Sequence, residues 1–122
     1  MPMNASWIAP GHIIRLTLSG HVTINDLAGM RDELTLILAE TPVRLDYLID
    51  LRGLEQVTDK ALQFMLGKHG SLRNAKTGCL AVIGGTKDQQ LIVGSAALAL
   101  HLTIGYFDDE YEALQFIAES TA

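Results

Sequence analysis

The chain has 122 residues, the size of about one ordinary domain, and its 48% hydrophobic and 19% charged residues exclude wholesale disorder. Nine Lys and Arg against fourteen Asp and Glu leave a formal charge of -5, with the basic residues scattered, so double-stranded nucleic acid is repelled and is not an expected partner. The one cysteine, Cys79, excludes an internal disulfide and fits a reducing cytoplasm.

Met1 to Gly11 has no basic segment leading into an apolar one, so no secretory signal is expected there. It reads as an arm or a short edge strand, with Trp7-Ile8 pairing into a hairpin across Pro10-Gly11. From His12 to Ser19 the chain alternates, Ile14, Leu16 and Leu18 on one face and Ile13, Arg15 and Thr17 on the other, which is the period of a strand. Thr23 then offers a hydroxyl cap, with Asp26 at the positive end of the helix dipole. Leu27, Met30, Leu34, Ile37 and Leu38 recur on one helical face until Thr41-Pro42 closes the segment.

Leu45, Tyr47, Leu48, Ile49 and Leu51 form a near-continuous apolar run, as expected of a central strand covered on both faces. A charged loop, Arg52 to Lys60, is expected to follow and to open a helix over Asp59 to Asn74. Cys79 to Ile83 is a short buried strand ended by Gly84-Gly85, Asp88 to Leu100 is helix-like, Thr103 to Phe107 is a strand, and Asp109 to Ala118 is a closing helix. Strands alternating with helices imply parallel crossovers and the first hairpin adds an antiparallel part, so an α/β fold with a small mixed sheet flanked by helices is expected. No apolar run approaches the roughly 20 residues that a membrane helix needs. A soluble, cytoplasmic protein without a transmembrane segment is the expectation.

Three stretches in order carry a family resemblance: Ser19-Gly20-His21-Val22-Thr23; Leu48-Ile49-Asp50-Leu51-Arg52-Gly53-Leu54 followed by Thr58-Asp59-Lys60-Ala61-Leu62; and Tyr106-Phe107-Asp108-Asp109-Glu110-Tyr111-Glu112-Ala113-Leu114. Together they resemble the STAS domain, the SpoIIAA-like family of anti-sigma factor antagonists, from about His12 to Ile117. The resemblance implies one STAS-like domain over residues 1–122 and a non-catalytic regulatory or protein-interaction role. In the family's antagonists the helix after Asp-Leu-x-Gly opens with Asp-Ser-Ser-Gly or Asp-Ser-Thr-Gly, whose hydroxyl is phosphorylated by a partner kinase. Here Thr58 stands at the Asp position, and Asp59 and Lys60 stand at the hydroxyl positions, so the phosphoswitch is not carried over. Thr58 sits one place off and suits a helix cap; Asp59 either mimics a phosphorylated site or simply suits a helix N-terminus.

Arg52, Glu55, Gln56, Thr58, Asp59 and Lys60 are therefore the expected partner-binding surface. The alternative is a small-ligand domain for a nucleotide, a phosphate or a lipid-like molecule, held at Gly84, Gly85, Thr86 and Lys87, where a strand turns into a helix and backbone N–H groups can meet an anion. That stretch lacks the Walker A spacing, and two glycines with a capping threonine also explain it as a turn. The four histidines lie on separate elements without metal-ligand spacing, and Gly94-Ser95-Ala96 lacks a nucleophile elbow. Asp108, Asp109, Glu110 and Glu112 suit a helix start. No catalytic residue, metal or cofactor is expected. The apolar helix around Leu91 to Leu100 leaves a homodimer open.

Overall fold

The computed structural model describes residues 3–10, 12–40, 45–57, 77–99 and 103–121. The alternation read from His12 onward becomes β2 (Ile13–Val22), in which Ile14, Leu16 and Leu18 are buried and their neighbours are not. Its partner across the Pro10 turn is β1 (Met3–Ala9), an antiparallel edge strand of seven residues, longer than Trp7-Ile8 alone suggested. The remaining strands, β3 (Leu45–Val57), β4 (Thr77–Ile83) and β5 (Ile104–Phe107), pair in parallel, giving a mixed five-stranded sheet in the order β1-β2-β3-β4-β5.

Helix α1 (Ile24–Glu40) links β2 to β3, and α2 (Lys87–Ala99) links β4 to β5. Right-handed crossovers that step in one direction across a parallel sheet place their helices on the same face. Accordingly Leu27 and Met30 of α1 and Val93 of α2 join one buried cluster with Leu16, Tyr47, Ile49, Leu51, Leu80 and Val82. Helix α3 (Glu110–Thr121) folds back on the opposite face, where Ala113 and Ile117 pack with Leu48, Cys79, Ala81 and Ile83. Successive residues of β3 and β4 therefore feed different cores, the consequence of a two-residue strand period in a sheet covered on both sides.

The helix starts are closed as their side chains predict. Thr23 N–H donates to Asp26 Oδ2 (2.8 Å) and Asp26 N–H donates to Thr23 Oγ1 (3.4 Å), a reciprocal cap on α1. Thr86 N–H donates to Gln89 Oε1 (2.9 Å) and Gln89 N–H to Thr86 Oγ1 (3.1 Å) at α2. At α3, Glu112 N–H donates to Asp109 Oδ1 (2.8 Å).

One expectation is corrected. Arg52 to Val57 is not the start of a loop: β3 runs on through Val57, because β2 continues beside it, pairing Ser19 with Gly53, Gly20 with Leu54, His21 with Gln56 and Val22 with Val57. Irregularities between Thr17 and Ser19 and between Gly20 and His21 absorb the change in register. The helix expected over 59–74 lies outside the described residues. No helix of the described residues is long and apolar enough to cross a membrane.

Candidate functional site

The pairing of β3 with β4 ends at Asp50 opposite Ile83, whereas its pairing with β2 continues for seven more residues, to Val57. Beyond the end of β4, β2 and β3 thus form a two-stranded ribbon, and among the described residues the other edge of β3 is unpaired there. On it Arg52, Glu55, Gln56 and His21 are exposed, while Leu54 is half-buried against the main core. Three of the six expected contact residues therefore share one strand. Thr58, Asp59 and Lys60 lie outside the described residues.

The base of the ribbon is organised by Asp50. Residues 50 and 52 are two apart on a strand and project to the same side. Arg52 donates from its backbone N–H to Asp50 Oδ1 (3.0 Å), from Nε to the same oxygen (3.0 Å), and from Nη2 to Oδ2 (2.8 Å). The Asp50 side chain is only 10% exposed, yet the Arg52 side chain that covers it is 52% exposed. The Arg52 fork holds the Asp50 carboxyl below its ordinary value of 3.8, burial opposes the shift, and Arg15 on the neighbouring strand adds a smaller pull in the same direction as Arg52. Arg52 is in turn pushed above its ordinary value by Asp50. Neither group takes or gives a proton near neutral pH, so the pair supplies fixed charge and directed donors and no acid–base chemistry.

The turn after β4 sits directly beside this pair. Gly84 has φ 69°, and a Cβ built there lies 2.7 Å from Arg52 Cγ; Gly85 has φ 88°, and its Cβ lies 3.0 Å from Leu51 Cδ1. Only glycine permits both the left-handed turn and the close approach of β3. Gly84 is anchored further by its N–H to Phe107 O (3.2 Å) and by its carbonyl, which accepts from Gln90 Nε2 (3.0 Å). The two stretches singled out separately in the sequence, Arg52 and Gly84 to Lys87, are therefore neighbours at one rim of the sheet. Both glycines and Thr86 have structural work at that turn, and Lys87 is exposed at the start of α2.

Three polar residues of this face were not singled out from the sequence. Asp50 and Asp46 are the two buried charged residues among those described. Asp46 Oδ1 accepts from Cys79 N–H (3.0 Å) where the β3–β4 register shifts, filling a gap in the ladder. Arg15 reaches from β2 to form an ion pair with Glu110 at the start of α3. The available signal was an ionised residue inside an apolar run, since a charge in a buried strand needs a partner. Among the described residues, no group of three or more His, Cys, Asp or Glu side chains is placed to hold a metal ion.

Comparison with solved structures places the same architecture elsewhere. A protein of the DUF3478 family with a SpoIIAA-like fold from Shewanella loihica PV-4 superposes with a TM-score of 0.68 at 22% identity, covering 94% of this chain and 91% of that one. The anti-sigma factor antagonist SpoIIAA in its unphosphorylated form gives a TM-score of 0.68 at 10% identity, covering 96% and 97%. The Bacillus cell fate determinant SpoIIAA in its phosphorylated form gives 0.63 at 12% identity, covering 94% and 98%. At these identities the likeness is one of fold. None of the curated proteins matches the chain. A family model described as SpoIIAA-like matches residues 13–118, from the start of β2 into the last turns of α3, and the chain belongs to the SpoIIAA-like family.

Proposed function

We propose that this protein is a non-catalytic regulatory module that works by binding a protein partner at the rim formed by the β2–β3 ribbon, with Arg52, Glu55 and Gln56 as the polar contacts there and Thr58, Asp59 and Lys60 as further partner-binding residues. The observation that carries this reading is the Asp50–Arg52 pair. A half-exposed guanidinium pinned from beneath by a buried carboxylate has already lost much of its rotamer freedom, so it presents donors to a partner's carboxylate or carbonyl with little further ordering cost. The edge of β3 that no strand pairs with among the described residues adds a second mode of contact.

The similarity to SpoIIAA, an anti-sigma factor antagonist with structures in unphosphorylated and phosphorylated forms, supports a regulatory partner. In this chain Asp59 and Lys60 occupy the places of the family's hydroxyls. Binding is therefore proposed to be independent of phosphorylation, in a cytoplasmic setting consistent with the single cysteine.

The test is quantitative capture of partners from the host's extract by the wild-type chain and by two variants, Arg52→Gln and the double variant Glu55→Lys/Gln56→Lys, each checked by circular dichroism. A specific partner is expected to be retained by the wild type, reduced at least tenfold with either variant, and unchanged by phosphatase treatment. Equal capture by all three proteins removes the rim from consideration. Phosphate on the chain, seen as added intact mass that controls capture, removes the phosphorylation-independent part.

A further inference from the structure

A second surface lies on the α3 face at the β5 edge of the sheet, next to the turn at Gly84, whose N–H donates to Phe107 O. Phe107, the last residue of β5, and Glu112, Gln115, Phe116 and Glu119 line an open groove of about 330 Å³. The four helical residues fall at i, i+3, i+4 and i+7, so they make one stripe along α3 beside the stripe that Ala113 and Ile117 bury. The groove's floor is aromatic: the rings of Phe107 and Phe116 lie 5.2 Å apart at 45°. Gly105 creates it, since a Cβ there lies 2.8 Å from Phe107 Cζ and 3.2 Å from Phe116 Cε1. Both rings are only partly buried, and among the described residues no strand pairs with the outer edge of β5.

The groove's charge is one-sided. Helix α3 has no Lys, Arg or His, and carries Glu110, Glu112 and Glu119. Glu110 is matched by Arg15, and Glu112 suits the positive end of the dipole. Glu119 stands in the last turn, where the dipole disfavours a carboxylate and no basic residue offsets it. Helix stability does not explain that residue. Among the described residues no cation pairs with Glu112 or Glu119.

We propose that this groove docks an arginine-bearing segment of a protein partner, a guanidinium lying over the Phe107 and Phe116 rings and meeting one of the two flanking carboxylates, Glu112 or Glu119. Arginine is favoured over lysine because its plane stacks on an aromatic face while its fork meets a carboxylate. Seven helical residues separate the two carboxylates by about 10.5 Å along the axis, more than one guanidinium spans. A segment with two basic residues therefore fits best, and in a polyproline II peptide positions i and i+3 lie on one side about 9.3 Å apart. Anionic headgroups and nucleic acid are repelled by the rim. A second copy in symmetric contact brings the same acidic stripe against itself.

The probe is a capped peptide, Gly-Arg-Leu-Pro-Arg-Gly, titrated into the 15N-labelled full chain at low salt, with citrulline replacing both arginines as the control. Shifts confined to Phe107, Gln115, Phe116 and their neighbours are expected, with at least fivefold weaker binding to the Glu112→Gln/Glu119→Gln variant and none by the citrulline peptide. The surface variant Glu33→Gln/Asp88→Asn, which removes the same charge elsewhere, is expected to bind like wild type. Equal weakening by both double variants, shifts spread over the whole acidic surface, or equal binding of the citrulline peptide overturns the proposal. Concentration-dependent dimerisation abolished by Glu119→Arg also overturns it, since the groove then belongs to a second copy.

Discussion

Asp50 illustrates how much one buried charge decides. Its carboxylate accepts three hydrogen bonds from Arg52 and is nearly sealed from water, so its ionised form is favoured in the folded chain. Because the folded-state value lies below 3.8, the unfolded chain takes up the proton first as pH falls. The pair's stabilisation is fully present above the ordinary carboxylate range and is lost on acidification through and below it. Asp50→Asn is expected to lower stability near neutral pH by about 1 kcal/mol, a figure reduced from that of a fully buried charged hydrogen bond because Arg52 is half-exposed. Urea midpoints of wild type and variant are expected to converge as the pH drops below about 4. Gly84→Ala tests the turn beside the pair: a left-handed φ disfavours any Cβ and Arg52 Cγ stands in its way, so a loss of about 1–2 kcal/mol is expected from the same denaturation. At this scale the sequence pointed to Arg52 and to the glycines, but not to Asp50 as the group that organises them.

Element identities follow from patterns that act over a few residues. The alternation in β2, the apolar run in β3 and the capping pairs Thr23/Asp26 and Thr86/Gln89 each depend on neighbours close in sequence, and the structure has all of them. Thr23→Ala is expected to cost about 1 kcal/mol and to raise amide hydrogen exchange in the first turn of α1 before other segments. The end of β3 is different. Arg52-Gly53 followed by Glu55-Gln56 is locally a turn-like, polar stretch, yet it is strand because β2 lies beside it. Cross-strand pairing overrode a weak local preference, as strand propensity commonly yields to context. The consequence bears on the proposed contact surface: residues read as a charged loop are held on a ribbon with fixed spacing.

The whole molecule is a sheet shared by two cores. Ile117 is 1% exposed in the α3 core, while Trp7, the chain's one tryptophan, sits on β1 at the far edge of the sheet. Because β3 and β4 contribute alternate side chains to both cores, loosening one face removes support from the other. Ile117→Ala is expected to destabilise by about 3 kcal/mol, with Trp7 fluorescence and far-ultraviolet circular dichroism shifting to the same lower denaturant midpoint. Two separated transitions contradict a jointly stabilised sheet.

Spacing, caps and composition by themselves determined the α/β class, the mixed sheet, the order of the described elements and the family resemblance, because each rests on a local period or a short motif. Only the tertiary structure decided that Arg52 and Gly84 are neighbours, that Asp50 is sealed beneath a half-exposed arginine, and that Gly105 lets Phe107 and Phe116 form a groove beside Glu112 and Glu119. Those arrangements depend on which strands lie side by side and in what register, and register is set by burial across the entire sheet.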